Sequence, residues 1–595
     1  FVYESNPNAD VLSRPVESPK NFDWSSVYGL YLMGKELMDQ KMYTQAEEKL
    51  SAALQKDSNY LPALVKMSEL LYRNMRYPEA LELAKRALSI DTHDGSANYY
   101  YGLINAQLSN IVDAKDGFDI ATLSGEYRSA AYTELSKLYF KEKDFEKAIA
   151  YATKAIDYNR YNITAFQLQA VIYRLQNNSD KAKEVLQTIL SVDPLNHFAG
   201  FEEYLLNAAD ENKKQFLALI QNELPAETFL ELAIWYYTIG CNSECEKVLS
   251  LAPQSAEVTY WLSFLHHAKV DFNNISPDLV FPFRSETGTV LEELLKDQDD
   301  WLLKYHLALI YKDRNRIAES KRLFISCGND PGYAPFYAAR AEIFKDSASM
   351  AIADLQKALS LENDQWRYYK LLAEYYNNHQ QYEKALPTAE NFYRSHPQNY
   401  IMGMLYAKTL LFNKKYKECD AILSKLHIIP FEGATDGREL YREAKLMQAV
   451  EQMQKKNLKE AISFITEAKQ WPVNLGVGKP YDEDIDDRLE NWIEYLCYAH
   501  LNKMTDANNS LQKIVQFNST QNSYPENAVV EVWAYEKLGE KDKARQWLNK
   551  QLKAFPNNKR LLWGKSVLEG NYDITLSETE KNTNVRILEQ LMLMK

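Results

Sequence analysis

A 34-residue period runs through the first third of this 595-residue chain. Five small residues mark it, each 34 positions after the last: Ala46, Ala80, Ala114, Ala148 and Ala182. A small or apolar pair precedes each one by 12–13 positions, as in Met33-Gly34 and Tyr101-Gly102. Further small or apolar residues follow at four and seven positions. A fixed period of this length is the signature of a repeat architecture.

The spacing has a physical reason. A unit of this length holds two short amphipathic helices, which cannot bury both apolar faces alone and must stack on neighbouring units. Small side chains at the eighth and twentieth positions let the two helices approach closely, whereas larger ones would force them apart. At 595 residues the chain also exceeds the roughly 250–300 residues that one core can serve. We therefore predict an all-α fold built as an α-solenoid.

This pattern resembles the tetratricopeptide repeat, W-x2-L-G-x2-Y…A-x3-F…P at 34 residues. The twentieth position recurs later at Cys245, Ser320, Ala351, Ala385, Cys419, Ala461, Ala507 and Ala544. Two gaps in this series each leave room for one degenerate hairpin, near residues 201–224 and 256–297. The resemblance implies a right-handed α-solenoid of about 13–15 helical hairpins.

Breaks in the period predict the organisation of the chain. Residues 1–25 hold three prolines without a helical period and are interpreted as a linker or the remnant of an upstream domain. The predicted sequence of parts is then five regular repeat units over 26–200, degenerate hairpins with a loop insertion over 201–300, repeat units over 301–430, repeat units with a loop insertion at 471–487 over 431–570, and a C-terminal cap over 571–595.

Composition excludes several functions. The net charge is −13, from 69 basic and 82 acidic residues, and no dense Lys/Arg block is present to neutralise phosphates. Nucleic acid is therefore not an expected partner. A pentatricopeptide array, with its 35-residue period and basic groove, is disfavoured by the 34-residue step and the acidic balance. No stretch approaches the ~18 uninterrupted apolar residues of a membrane span, so a soluble protein is expected.

No catalytic motif emerges. Gly476-Val477-Gly478-Lys479 lacks the spacing of a phosphate-binding loop, and Pro480 follows its lysine. The acidic run from Asp482 to Asp487 lacks the spacing of a calcium loop. It is interpreted as a solvated segment that caps the helix starting at Arg488. The five cysteines and nine histidines show no ligand spacing. We predict that the chain is not an enzyme and binds neither a metal nor a cofactor.

Candidate binding residues come from the family resemblance. In tetratricopeptide arrays, positions 2, 5, 9, 12 and 13 of each first helix face the concave groove. The groove candidates in the first units are Tyr31, Lys35, Glu69, Tyr72, Arg73, Tyr99, Lys137, Phe140 and Arg174. This aromatic and polar lining suits an extended peptide or a helix. The family's clamp for chaperone C-termini is absent from the first three units.

The segment Trp471–Tyr481 is the most distinctive part of the chain outside the repeats. Two interpretations stay open. In the first, it is an ordered loop that packs on the solenoid through Trp471, Leu475 and Tyr481. In the second, it is a contact for a ligand or partner, for which Trp471, Lys479 and Tyr481 are the candidate residues.

A second resemblance rests on this loop and on Arg14–Trp24. Both are similar to segments in the C-terminal half of large bacterial proteins that carry an N-terminal mutarotase-like all-β domain of unknown function. The resemblance implies an upstream β-domain and a bacterial cytoplasmic or periplasmic location. We predict a scaffold module for protein–protein interaction that binds a peptide or partner domain in its concave groove. The alternative is the accessory half of a carbohydrate-active or carbohydrate-binding protein.

Overall fold

A computed structural model describes residues 22–273, 275–430, 436–517 and 524–594. Helix accounts for 72% of the structure, and the described residues contain no strand. The prediction of an all-α solenoid of helical hairpins is confirmed. Most of the predicted N-terminal linker lies outside the described residues.

The chain divides into two compact units, Phe1–Pro331 and Gly332–Lys595, here called unit 1 and unit 2. The helices described in unit 1 are α1 Val27–Asp39, α2 Tyr43–Lys56, α3 Leu61–Arg73, α4 Tyr77–Ile90, α5 Gly95–Gln107, α6 Ile111–Ala121, α7 Arg128–Lys141, α8 Phe145–Tyr158, α9 Ile163–Leu175, α10 Ser179–Val192, α11 His197–Leu206, α12 Asp210–Ala218, α13 Pro225–Thr238, α14 Asn242–Leu251, α15 Ala256–Leu265, α16 Ser285–Asp297, α17 Trp301–Asp313 and α18 Ile317–Ser326.

Unit 2 continues the pattern of paired antiparallel helices. Its described helices are α19 Ala334–Ile343, α20 Ala348–Leu361, α21 Trp366–Asn378, α22 Tyr382–Ser395, α23 Tyr400–Phe412, α24 Tyr416–Leu423, α25 Asp436–Gln454, α26 Leu458–Ala468, α27 Arg488–His500, α28 Met504–Gln516, α29 Ala528–Lys537, α30 Lys541–Ala554, α31 Lys559–Glu569 and α32 Thr583–Met592. Three short 3₁₀ helices lie at Val473–Leu475, Asp482–Asp484 and Pro525–Asn527.

The small residues that set the period lie where the two helices of a hairpin touch. Ala46, Ala80, Ala114, Ala148 and Ala182 are all fully buried. At the eighth position, a Cβ added to Gly102 would lie 2.7 Å from the ring of Phe118. Where serine occupies the eighth position, its side chain forms a hydrogen bond between the two helices. The Ser136 hydroxyl donates to the carbonyl of Ala148 at 2.7 Å. The packing reason given for the spacing is confirmed.

Two hairpins of unit 1 lie near the two gaps in the period. The first is α11 with α12, and the second is α15 with α16. The second is degenerate because residues 266–284 separate its helices, and the described part of that segment is irregular. Its Val270 backbone is tied to the side chain of Gln298, which receives one hydrogen bond at 2.8 Å and donates another at 3.0 Å.

Candidate functional site

The groove candidates of unit 1 mostly have partners within the chain. Four of the nine candidates pack against an aromatic ring: Tyr31 edge-on against Tyr60, Tyr72 against Tyr77, Tyr99 against Tyr127, and Phe140 against Phe145. Four others form ion pairs: Glu69 with Lys66, Arg73 with Asp313, Lys137 with Glu134, and Arg174 with Glu202 and Glu244. Lys35 is the exposed member of the set. Burial is the largest cause that raises the pKa of both Tyr72 and Tyr99.

Unit 1 also brings its second hairpin against α17. Arg73 Nη2 lies 3.2 Å from the Asp313 carboxylate, and Arg314 donates to the Arg73 carbonyl at 3.1 Å. The Asn315 amide donates to Glu47 at 2.8 Å. The end of α17 and the turn after it therefore contact α2 and α3 near Arg73.

An open groove of about 530 Å³ lies in unit 2. Helices α21, α23 and α25 line it, together with Leu475 from the loop and two residues of α32. Its apolar surface comes from Tyr400, Ile401, Met404, Leu405, Phe412 and Leu440. Its charged residues include Lys370 and Glu374, which pair at 3.0 Å, and Lys408. We call this surface the unit 2 groove.

None of these residues is among the candidates taken from the sequence, although the same rule finds them. Counted back from Ala385, positions 5, 9, 12 and 13 are Lys370, Glu374, Asn377 and Asn378, and all four line the groove. Counted back from Cys419, positions 2, 5, 9 and 13 are Ile401, Met404, Lys408 and Phe412, which also line it. The groove candidates predicted from the sequence all lie in the first units of the chain, so they do not include the unit 2 groove.

Asn377 is the unusual member of the unit 2 groove. Its side chain is 6% exposed, and neither its Nδ2 nor its Oδ1 has a hydrogen-bond partner among the described residues. By contrast, Asn413 of the next repeat donates to the carbonyls of Tyr382 and Thr409. A buried amide without partners costs about 1–3 kcal/mol per group. Within the described residues, the Asn377 side chain therefore keeps an unused donor and an unused acceptor.

The Trp471–Tyr481 segment is an ordered loop fixed to the end of α24. Asn474 donates to the carbonyls of Leu423 and Leu426 at 3.0 and 2.9 Å, and its own carbonyl accepts from Ile428. Gly476 is required here because its φ is 68° and an added Cβ would lie 2.8 Å from the Ile428 carbonyl oxygen. The loop is held at Asn474, Leu475 and Gly476, and Leu475 is buried as predicted. The predicted packing through Tyr481 is wrong, because that side chain is exposed.

The three loop candidates line one cavity of about 760 Å³, here called the loop pocket. Trp471 forms part of its wall beneath the Arg438 guanidinium, whose carbon lies 4.7 Å from the ring centroid. Lys479 is exposed and pairs with Asp482 at 2.7 Å. Tyr481 is 77% exposed. Residues of α25 and Tyr524 complete the pocket.

Charged side chains are buried around the loop pocket. Arg442 donates to Glu490 and also to Asn584 of α32, at 2.6 Å. The Tyr524 hydroxyl donates to Glu439 at 2.6 Å. These bonds join α25, α27 and α32 at one place. They were not predicted, because no local pattern distinguishes a buried charge from a solvated one.

The acidic run corrects one interpretation made from the sequence. Asp486 is buried and pairs with Arg488 at 2.6 Å, so that end of the run is not solvated. Asp487 occupies the N-cap position of α27, but its side chain makes no capping hydrogen bond. Burial and the neighbouring Glu490 raise the pKa of Asp487 to about 7. Asp482 and Glu483 are exposed, as expected.

Two further observations concern site types. In the part of the chain that the structure describes, no three His, Cys, Asp or Glu side chains come close enough together to hold a metal ion. None of the described helices has both the length and the apolar character needed to cross a bilayer.

Comparison with known proteins gives relatives of part of the chain. The TPR repeat-containing protein YpiA of Bacillus subtilis (strain 168) is 26% identical over 199 residues, which are 32% of this chain. The match spans 45% of that relative's own length.

Solved structures with a similar arrangement include MamA, with 22% identity, 27% of this chain and 93% of its own covered, and a TM-score of 0.25. The match to the structure of Naa15/Naa10 bound to HypK-THB has 13% identity, covers 95% of this chain and 99% of that chain, and has a TM-score of 0.29. The match to yeast Tom70 has 14% identity, covers 86% of this chain and 96% of that chain, and has a TM-score of 0.25.

Family models add the most direct identification. Models described as tetratricopeptide repeat match residues 37–104, 129–162 and 532–558. The first two ranges lie in unit 1 and the third in unit 2. The chain therefore contains tetratricopeptide repeats, the type of repeat that typically mediates protein–protein interaction.

Proposed function

We propose that the chain is a non-enzymatic protein-binding module and that the unit 2 groove binds an extended peptide segment of a partner protein. The observation that carries this proposal is Asn377, whose amide nitrogen and oxygen are buried without partners in the wall of the groove. A side-chain amide offers one donor group and one acceptor, which match the carbonyl and the N–H of a peptide group.

The rest of the groove supports a peptide of mixed character. Tyr400, Ile401 and Met404 offer apolar contact, and Tyr400 is 44% exposed. Lys408 is available to an acidic side chain, since no ion pair with a described carboxylate engages it. Apolar contacts supply affinity in such grooves, and a few placed polar groups fix the orientation of the ligand.

Selection of peptides from a random phage-displayed library on the full chain tests this proposal. Recovered peptides, labelled with fluorescein, would be titrated by fluorescence polarisation. We expect Asn377→Ala to weaken binding about tenfold, which corresponds to about 1.4 kcal/mol. The matched control is Asn391→Ala, an exposed asparagine on α22 outside the groove. If the recovered peptides bind Asn377→Ala as tightly as the unchanged protein, the groove is not their site.

The alternative of a carbohydrate-related role, and the upstream β-domain, stay predictions. The support for the carbohydrate-related role is Tyr481, an exposed aromatic ring at the loop pocket that offers a face to a sugar ring. A glycan array probed with the full chain and with Tyr481→Ala tests the role. Loss of a glycan signal in the variant would favour it, and an array without signal would remove its support.

A further inference from the structure

Two side chains of the loop pocket have buried hydrogen-bond donors without partners. Arg438 is 4% exposed, and its Nε and Nη1 find no acceptor among the described residues. The Trp471 Nε1 is also buried without an acceptor. The two side chains lie against each other, with the guanidinium over the indole ring. Both line the loop pocket.

Other buried arginines of this region do have carboxylate partners. Arg442, one helical turn further along α25, is held by Glu490 and Asn584. Arg488 is held by Asp486 and Glu531. Within the described residues no ion pair joins Arg438 to a carboxylate. Burial is the largest cause that lowers the pKa of Arg438, and the carboxylates of Glu490, Glu439 and Asp487 oppose it without a hydrogen-bonded ion pair. A buried charge whose hydrogen bonds are not satisfied is unfavourable, and a ligand that accepts those bonds would stabilise it.

We propose that the loop pocket binds a carboxylate group, held by the Arg438 guanidinium and the Trp471 indole N–H. This site is separate from the unit 2 groove and does not depend on the function proposed there. A guanidinium presents several N–H donors in one plane, which matches the two oxygens of a carboxylate. The indole N–H adds a single further donor.

The acidic residues of the pocket favour a carboxylate over a phosphate. Glu439, Asp484, Asp486 and Asp487 all line it, so a dianion would meet strong repulsion. A monoanion brings one negative charge to Arg438 and meets less of this repulsion than a phosphate dianion does. Burial and Glu490 raise the pKa of Asp487, which lessens the repulsion between this carboxyl and a bound anion.

The carboxylate belongs either to a small acid in solution or to an acidic peptide side chain, and titration calorimetry on the full chain distinguishes them. The probes are sodium propionate, a doubly capped aspartyl tripeptide, inorganic phosphate and maltose, at matched ionic strength. We expect saturable binding of propionate or of the tripeptide. Binding of propionate alone assigns the small acid, and binding of the tripeptide alone assigns the peptide side chain.

Variants test the residues named. Arg438→Gln should weaken carboxylate binding at least tenfold, while the exposed Arg394→Gln on α22 should leave it unchanged. Trp471→Phe keeps a ring but removes the N–H, and it should weaken carboxylate binding about threefold. If Arg438→Gln does not fold, Trp471→Phe tests the proposal in its place. The proposal is overturned if neither carboxylate binds, if phosphate or maltose binds as tightly, or if the folded variants bind like the unchanged protein.

Discussion

Arg442 and Glu490 form a two-point ion pair inside unit 2, with Nε 2.5 Å from Oε1 and Nη2 3.0 Å from Oε2. Their side chains are 4% and 0% exposed. Arg438 stands one turn earlier on the same helix and is just as buried, yet among the described residues it has no such partner. Two arginines of one helix therefore differ in what they contribute: one joins α25 to α27, and the other is left for a ligand.

This difference predicts opposite responses to the same substitution. Arg442→Met leaves Glu490 as an uncompensated buried charge and should lower the free energy of unfolding by about 3–5 kcal/mol. Arg438→Met removes an unpaired charge and should be neutral or stabilising, since an apolar side chain of similar size replaces it. Urea unfolding of the full chain, followed by circular dichroism, gives both values. Equal losses for the two variants would contradict the assignment of Arg438.

The contribution of Asp487 to the stability of unit 2 should fall as pH rises from about 4 to 7. The folded state raises the pKa of Asp487 to about 7 from an ordinary 3.8, through burial first and the charge of Glu490 second, although Lys469, Arg442 and Arg438 act in the opposite direction. Across that window the unfolded chain has released the proton while the folded chain still holds it. Stability is therefore lost as pH rises towards 7.

Asp487→Asn isolates this contribution. It should remove about 1–3 kcal/mol of the pH-dependent change in the free energy of unfolding between pH 4 and 7. Asp482→Asn, at an exposed position of the same acidic run, should leave the profile unchanged. Denaturant unfolding at several pH values measures both. If the free energy of unfolding of Asp487→Asn depends on pH as it does in the unchanged protein, the pKa of Asp487 is not raised in the folded state.

Overpacking a hairpin contact should destabilise unit 1. Ala148 is fully buried, and its carbonyl accepts the hydroxyl of Ser136 across the contact. Ala148→Leu should therefore cost about 1–3 kcal/mol. Ala150→Leu, two positions along on the exposed face of α8, should be nearly neutral. Thermal unfolding compares them, and equal shifts would contradict the register of the repeat.

The repeat itself could be predicted because its packing is local. Each small residue, such as Ala148, faces a partner 12 positions away within its own hairpin, so the spacing along the chain fixes the contact. The site could not be predicted in the same way. Arg438 and Trp471 are 33 positions apart, and Arg442 meets Asn584 from a distance of 142 positions. Only the folded chain brings such residues together.

The groove candidates of unit 1 show a second limit. Their positions within each repeat follow from the family rule, but Arg73 meets Asp313, which lies 240 positions later. A rule that uses one repeat at a time has no information about helices that return after many repeats. Whether a groove position stays open is therefore decided outside the repeat that contains it.

Met75 should be the key residue of that return contact. It occupies the left-handed turn position between α3 and α4, with φ of 57°. At the equivalent turn positions Lys41, Ser109, Lys143 and Asn177 are polar and exposed. Met75 instead is 7% exposed, and a Cβ added to Gly288 on α16 would lie 3.2 Å from its Cε. Its side chain thus packs the second hairpin against the later helices.

Met75→Ala should lower the free energy of unfolding of unit 1 by about 2–4 kcal/mol, because it leaves a cavity in this contact. Lys143→Ala, at the same turn position but exposed, should stay within about 0.5 kcal/mol of the unchanged protein. Both variants carry the same left-handed backbone cost, so the difference between them reports the packing of the methionine alone. Hydrogen exchange adds a local readout: faster exchange in both α3 and α17 of Met75→Ala is expected. An effect confined to α3 would mean that the contact with the later helices contributes nothing to stability.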